Sequence, residues 1–218
     1  GIKNNKSDIK LLNIKREKTY FKITIKLKNL KKSFLIANNF ESSIYNILAA
    51  IAVMSAHLNI LNLDNRIFLN FKIPEGRGDF SRIKIKDKNI NLIDESYNSN
   101  PLSLKSAILN FEKIKTNKSK KYLLLGDMLE LGKHSKKLHD SIVPIINKAK
   151  IDKVFVRGKN IASIFKNLLK SKKGRILYNN HQIIELIKNE LNNNDYLMIK
   201  ASNATGFNKI VKNLKGTI

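Results

Sequence analysis

Tyr122-Leu-Leu-Leu-Gly-Asp-Met-Leu-Glu-Leu-Gly132 begins with an apolar run and breaks at a Gly-Asp pair. A short apolar run that stops at a turn is typical of a strand buried on both faces. The same rhythm recurs through the second part of the chain, where such runs alternate with helical patterns. Predicted strands span 90–94, 121–126, 152–157, 174–178 and 195–200, and predicted helices span 101–115, 135–149, 160–170, 180–192 and 204–214. This alternation predicts an α/β fold with a Rossmann-like, mainly parallel sheet and helices on both faces.

Polar and small residues follow four of the predicted strands, at or just after the point where each strand ends. They occupy Asp94–Asn100, Gly126–Gly132, Arg157–Asn160 and Lys200–Gly206. The carboxyl ends of parallel strands lie on one edge of a sheet, and ligands bind just beyond that edge. We therefore expect the four segments to gather into one site.

The segment after the strand at 90–94 has the chemistry of a nucleotide site. A carboxylate at Asp94 or Glu95 could accept hydrogen bonds from the two vicinal hydroxyls of a ribose. The amides of Asn98 and Asn100 can each donate and accept. A second interpretation stays open, in which Asn100 caps the following helix while the acids pair with nearby lysines.

The other strand ends carry weaker signals. We expect Asp127 to cap a turn and His139 to be a hydrogen-bonded histidine of the core. Together with Glu130 they could in principle hold a metal, but the spacing of the histidines is not that of a metal site and we predict none. Gly206 lies at the opening of the last predicted helix, where backbone amides could meet an anion or simply begin an ordinary helix.

The first part of the chain follows a different pattern. Alternating apolar and polar residues predict a strand at 20–27 with a hairpin partner at 33–37. A predicted helix at 42–57 is apolar around nearly its whole circumference, which is typical of a buried helix. We therefore expect Asn46, on its first turn, to lie near a packed surface.

Pro74-Glu-Gly-Arg-Gly-Asp79 is the clearest break in the sequence, because it combines a proline, two glycines and alternating charges. It predicts two domains, at 1–75 and 76–218. The first residue is Gly1 rather than Met, and no signal-peptide pattern follows. We expect the chain to start inside a longer protein.

The composition limits the function classes. The net charge of +25 suggests nucleic acid, but 36 of the 42 basic residues are Lys and they are scattered through every segment. Because Arg forks recognise bases and phosphates better than Lys, we favour a solvated Lys-rich surface over specific nucleic-acid binding. A Lys-rich nucleotide- or nucleic-acid-binding α/β module stays open as the alternative. The absence of Cys fits a reducing cytoplasm, and no apolar run approaches the ~20 residues of a membrane span.

Two motifs are missing from the 218 residues. There is no GxxxxGK[ST] phosphate loop and no nucleophile elbow with a Ser/His/Asp arrangement. The sequence therefore offers groups that could face a nucleotide but no cradle for its phosphates, and no catalytic residue is predicted.

Asp94-Glu-Ser-Tyr-Asn-Ser-Asn-Pro101, followed by Leu124-Leu-Gly-Asp-Met-Leu-Glu-Leu-Gly132 and His139, resembles the C-terminal domain of the Mur ligases. Ser43-Ile-Tyr-Asn-Ile-Leu-Ala-Ala50 is similar to the end of that family's central ATPase domain. Pro74-Glu-Gly-Arg-Gly78 is similar to the junction between the two domains. The resemblance covers roughly residues 20 to 215.

The resemblance implies an ATP- and Mg²⁺-dependent ligase of peptidoglycan synthesis, monomeric and cytoplasmic, that joins D-Ala-D-Ala to UDP-MurNAc-tripeptide through an acyl phosphate. This chain would supply the end of the central domain together with the C-terminal domain, which closes over the central domain and is called the closing domain below. It would be inactive alone. The resemblance implies a contact to adenine by Asn46, to the ribose or phosphates by Arg77, and to the ribose by Asp94 or Glu95. It places five further side chains on the same nucleotide or substrate edge: Tyr97, Asn98, Asn100, Lys200 and Ser202.

Three positions depart from the family pattern. Ser42-Ser43 replaces a His-Asn pair, Lys200-Ala-Ser202 replaces Lys-Gly-Ser, and Asp94-Glu95 replaces two Asp. Another Mur ligase or the related folyl-polyglutamate ligase is the alternative enzyme, although the Tyr-Asn-x-Asn-Pro string weighs against both.

Overall fold

The computed structural model describes residues 1, 2, 4, 6–37, 41–71 and 74–216, with only the backbone described at 41 and 42. It divides into two compact units, Gly1–Lys72 and Ile73–Ile218. The division falls close to the break that the sequence predicts, and the assignment of the two parts to a central and a C-terminal domain stays a prediction.

The first unit is a three-stranded antiparallel sheet packed on one helix. Its strands are β1 (Ile9–Arg16), β2 (Phe21–Leu27) and β3 (Leu30–Ile36), paired in that order, and its helix is α1 (Glu41–Ser55), followed by a 3₁₀ turn at Ile60–Asn62. The predicted hairpin is confirmed as β2 and β3. The sequence pattern missed β1, where the register shifts between Leu11 and Asn13 and breaks the alternation.

Helix α1 corrects one expectation. The face that contains Ile44 and Ile51 is buried against the sheet, but Tyr45 and Val53 on the opposite face are exposed, Val53 by 67%. The prediction that a helix apolar nearly all round is buried was therefore wrong for this chain. A single three-stranded sheet covers only one face of the helix. Asn46 lies on the exposed face, not at a packed surface, and the side chain of Ser42 lies outside the described residues.

The second unit is an α/β sandwich, which confirms the predicted fold class. Its six strands are ordered β4-β5-β9-β6-β7-β8, with β4 antiparallel to β5 and every other pair parallel. The strands are β4 (Asp79–Ile85), β5 (Lys88–Glu95), β6 (Lys121–Gly126), β7 (Lys153–Arg157), β8 (Lys173–Ile176) and β9 (Tyr196–Lys200). The helices are α2 (Pro101–Glu112), α3 (Ser135–Asp140), α4 (Val143–Lys148), α5 (Asn180–Asn189) and α6 (Phe207–Lys215).

Alternate residues of each central strand point into two separate cores. Leu124 of β6 packs with α5 and α6 on one face of the sheet. Leu123, its neighbour, packs with α2 and α4 on the other face. Because both faces are covered, the central strands are apolar throughout, which is why their short runs could be recognised from the sequence.

Two helices and one strand differ from their predicted form. The helix predicted at 135–149 is two short helices, because Pro144 lacks the N–H that a continuous helix needs and instead lies in the first turn of α4. The segment predicted as a helix at 160–170 is a 3₁₀ helix at Ile161–Asn167. The edge strand β4 was missed, since only Ile83 and Ile85 of it are buried.

Candidate functional site

The four segments that follow the strands meet at one edge of the second unit, as predicted. The N–H of Ser202 donates to the Asp127 carbonyl at 3.1 Å, and the Ser202 hydroxyl accepts from the N–H of Leu129 at 2.9 Å. The same hydroxyl donates to the Ser99 carbonyl at 3.3 Å. Asn160 donates its N–H to Oδ1 of Asp127 at 3.0 Å. Ser202 and Asp127 therefore join the four carboxyl-end segments.

Lys200 lies beneath this edge. Its side chain is only 1% exposed, and its ammonium lies 3.1 Å from Oε2 of Glu95, whose side chain is 22% exposed. The ammonium also donates to the Asn98 carbonyl at 3.0 Å. Lys200 thus binds both the Glu95 carboxylate and the backbone of the loop that follows β5.

The two acids predicted for a ribose have different surroundings. Asp94 is buried, and its Oδ1 accepts from the N–H and the hydroxyl of Ser96 at 3.0 and 2.6 Å. Its Oδ2 lies 3.1 Å from the ammonium of Lys215. Oε1 of Glu95 instead lies beside Gly78, 3.1 Å from where a Cβ on that glycine would be. Of the pair, Glu95 has the carboxylate that water and a ligand can reach.

Lys215 is a residue that the sequence did not indicate. It lies in the last turn of α6, and its ammonium is 2.5 Å from Oδ2 of Asp79 as well as 3.1 Å from Oδ2 of Asp94. Burial lowers the pKa of Lys215, but hydrogen bonds to Asp79 and Asp94 outweigh it and leave the pKa above its ordinary value of 10.5.

A tight turn at 74–79 presents Arg77 at the same edge. The guanidinium carbon of Arg77 lies 4.4 Å from the centre of the Tyr97 ring, a cation–π distance. Arg77 is exposed and Tyr97 is about half exposed. The turn and the loop after β5 therefore bring a cation, an aromatic ring and the Glu95 carboxylate together.

The two asparagines of the loop have local roles. Asn100 caps α2: its side chain accepts from the N–H of Ser103 at 2.8 Å, and its own N–H donates to the Ser103 hydroxyl at 3.1 Å. This confirms the capping interpretation for Asn100. Oδ1 of Asn98 accepts from the N–H of Ser99 at 2.7 Å, while the Asn98 side chain stays exposed.

Asp127 and His139 have the structural roles that the sequence favoured. Oδ1 of Asp127 accepts from the N–H groups of Asn160 and Ile161, at 3.0 and 2.6 Å, and so caps the 3₁₀ helix. His139 is fully buried, and its Nε2 accepts from the N–H of Met128 at 3.0 Å. Its Nδ1–H donates to the Ser135 carbonyl at 2.8 Å. The described part of the chain contains no group of three His, Asp or Glu that could hold a metal ion.

Arg157 connects the ends of β7, α5 and α6. It donates to the Thr205 carbonyl at 2.9 Å and to the side chain of Asn180, and its guanidinium lies 4.2 Å from the Phe207 ring centre. Burial lowers the pKa of Arg157. Gly206 begins α6 with a positive φ of 78°.

Asn46 is the one predicted site residue of the first unit, and the structure places it on the exposed face of α1. The other eight predicted residues belong to the second unit, around the edge described above. None of the described helices combines the length and the apolar character that a membrane crossing requires.

Comparison with known proteins agrees with this architecture. The family model "Mur ligase, glutamate ligase domain" matches residues 80–203, more than half of the chain. The UDP-N-acetylmuramoyl-tripeptide–D-alanyl-D-alanine ligase of Bacillus subtilis is 31% identical over 202 residues, which are 91% of this chain and 42% of that protein. The ligase of the same name from Rickettsia prowazekii is 27% identical over 177 residues, 81% of this chain and 37% of that protein.

Solved structures show the same fold. The MurF ligase of Thermotoga maritima, crystallised in complex with ADP, superposes with a TM-score of 0.73 at 19% identity, over 96% of this chain and 46% of that one. MurF of Acinetobacter baumannii gives a TM-score of 0.77 at 17% identity, over 98% of this chain and 46% of that one. The chain thus spans less than half the length of these relatives. Because the family model matches more than half of the chain, the chain belongs to the Mur ligase family.

Proposed function

We propose that this chain is the part of a UDP-MurNAc-tripeptide–D-Ala-D-Ala ligase that contains the closing domain and one side of the nucleotide site. The observation that carries the proposal is the cluster of Arg77, Tyr97 and Glu95 at the carboxyl edge of the sheet. The similarity to ligases of that name over nearly the whole chain supports it. The cellular setting that follows is cytoplasmic peptidoglycan synthesis, and the enzyme is proposed to be a monomer.

The nucleotide is proposed to be ATP, and it is proposed to bind at the turn that contains Arg77. An exposed guanidinium is a fixed fork for the anionic oxygens of the ribose-phosphate region. Glu95 is proposed to accept from the ribose hydroxyls, because its Oε1 faces the turn while the oxygens of Asp94 are engaged by Ser96 and Lys215. Asp94 then supports the site from inside. Asn46 stays the proposed adenine contact.

The incoming dipeptide is proposed to approach the rest of the edge, where Lys200 and Ser202 lie under the loop. Lys200 fixes the loop through the Asn98 carbonyl, and Ser202 joins the loops after β5, β6 and β9. Tyr97, Asn98 and Asn100 are proposed to line this side. Such polar groups orient a ligand while the sheet below keeps them rigid.

Magnesium is proposed for the ligase as a whole. The described residues offer no cluster of acids and histidines for it, and no Mg²⁺ ligand is proposed among them. Bound Mg²⁺ would neutralise charge on the transferred phosphoryl group. The residues present here would bind and orient the nucleotide and exclude water from the acyl phosphate.

The test is a fusion in which this chain replaces the matching part of the Bacillus subtilis relative. The fusion is given ATP, Mg²⁺ and UDP-MurNAc-tripeptide with either D-Ala-D-Ala or single amino acids, and products are identified by mass spectrometry. We expect addition of the dipeptide. A folded fusion that adds a single amino acid instead, or that adds nothing while the unaltered relative is active, contradicts the proposal.

A further inference from the structure

Lys215 joins two acids that face each other in the sheet. Asp79 and Asp94 are register partners of the antiparallel pair β4 and β5, and like charges directly opposite one another destabilise such a pair. The ammonium of Lys215 lies 2.5 Å from Oδ2 of Asp79 and 3.1 Å from Oδ2 of Asp94. It therefore bridges the two carboxylates from the last turn of α6 and offsets part of their repulsion.

The two acids in turn hold the turn that precedes β4. Oδ1 of Asp79 accepts from the N–H of Gly76 at 2.7 Å, and the carbonyl of Asp94 accepts from the N–H of Gly78 at 2.7 Å. The carbonyl of Gly76 accepts from the N–H of Tyr97 at 3.0 Å. Each glycine that flanks Arg77 thus donates its N–H to a residue paired with Lys215, Gly76 to the Asp79 carboxylate and Gly78 to the Asp94 backbone carbonyl.

The turn also depends on its two glycines. Gly76 has a φ of +74°, and a Cβ there would lie 2.8 Å from Cβ of Tyr97. Gly78 has a φ of +98°. Both conformations favour glycine, and any side chain at position 76 would collide with Tyr97. Arg77 lies between them, with its guanidinium over the Tyr97 ring.

We propose that Lys215 is a positioning residue, which clamps Asp79 to Asp94 and so fixes the Gly76–Gly78 turn that aims Arg77 across Tyr97. The inference rests on the proposed function for the ligand that Arg77 meets, a nucleoside phosphate. The clamp itself is independent of any ligand. Its second arm, from Asp94 to the hydroxyl of Ser96, holds the start of the loop that contains Tyr97.

The test measures amide hydrogen exchange of Gly76 and Gly78 in the whole chain without nucleotide. In Lys215→Met we expect both amides to exchange about tenfold faster. The Asp79 carboxylate that accepts from Gly76 loses its cation, and the facing carboxylates of Asp79 and Asp94 repel beside the bond from Gly78 to the Asp94 carbonyl. Core amides of Leu123 and Leu124 are expected to keep their rates. Lys215→Arg, which keeps the charge, is expected to restore slow exchange.

Lys212→Met is the matched control, since it removes an exposed charge from the same helix and should leave the turn unchanged. If Lys215→Met does not fold, Asp79→Asn breaks the same clamp and should accelerate Gly76. Wild-type rates at Gly76 and Gly78, equal acceleration in turn and core, or the same effect from Lys212→Met would each overturn the inference. Because no nucleotide is present, a failure of the fusion to ligate would leave this result unaffected.

Discussion

The ammonium of Lys200 lies 3.1 Å from Oε2 of Glu95, and the two side chains differ sharply in exposure, 1% against 22%. A charge on the buried side of such a pair depends on its partner more than a charge that water can reach. The pair also links the ends of the neighbouring strands β5 and β9. The free energy of unfolding lost when either residue is replaced therefore measures how much the pair stabilises the candidate site.

Removal of Glu95 and removal of Lys200 should lower the free energy of unfolding by different amounts. Glu95→Ala leaves a buried ammonium without its counter-charge and is expected to lower the free energy of unfolding by about 3–5 kcal/mol. Lys200→Met leaves a carboxylate that solvent can reach, so we expect a smaller loss of about 1–2 kcal/mol. Urea unfolding measures both, with the exposed Glu185→Ala as control. Equal losses from the two variants would show that burial does not set the cost.

The contribution of Lys215 to stability should disappear at high pH. Because its pKa is raised in the folded protein above 10.5, the folded state binds that proton more tightly than the unfolded state. The stabilisation is therefore complete below about pH 10.5 and is lost as the pH rises through the folded pKa. We expect the difference in unfolding free energy between wild type and Lys215→Met to be constant from neutral pH to about pH 9 and to shrink above pH 10.5. A difference that grows with pH would be inconsistent with this assignment.

His139 should be required for folding stability and not for metal binding. His139→Leu leaves the buried N–H of Met128 without an acceptor, and we expect a loss of about 1–3 kcal/mol in urea unfolding. His134→Leu removes an exposed histidine five residues earlier and should change stability by less than about 0.5 kcal/mol. If His139→Leu lost as little stability as the control, the hydrogen bond from Met128 to His139 would contribute little to the free energy of unfolding.

The charge of +25 should give only weak, non-specific binding to DNA. Scattered lysines attract phosphates without reading bases, so we expect a Kd of about 10–100 μM for duplex DNA at physiological salt, independent of sequence. Fluorescence anisotropy across a salt series measures it. Submicromolar, sequence-dependent binding at that salt would favour the nucleic-acid module over the ligase.

The sequence predicts some parts of this molecule and not others for physical reasons. Buried parallel strands such as Tyr122–Leu125 leave a continuous apolar run, and the turn residues after them mark the site edge. The edge strand β4 leaves a weaker trace, because one face meets solvent. Lys215 and Asp94 are 121 residues apart in the chain, and no local pattern signals such a pair. The choice of Glu95 over Asp94 as the proposed ribose contact likewise depends on residues that are distant in the sequence.

The exposed face of α1 shows the limit of a periodicity argument. A helix that is apolar on all sides predicts burial only if something covers each side. In this chain the sheet covers Ile44 and Ile51, while Val53 is exposed.

The most direct measurement of the central claim is the KM for ATP in the fusion ligase with Arg77→Ala, compared with Arg82→Ala. Both arginines are exposed, but Arg82 lies on β4 and pairs with Asn194, away from the Arg77 turn. We expect Arg77→Ala to raise the KM for ATP by about tenfold or more, as loss of a charged hydrogen bond to an anionic ligand does, and Arg82→Ala to leave it unchanged. Equal KM values in the two variants would contradict a nucleotide site at this edge.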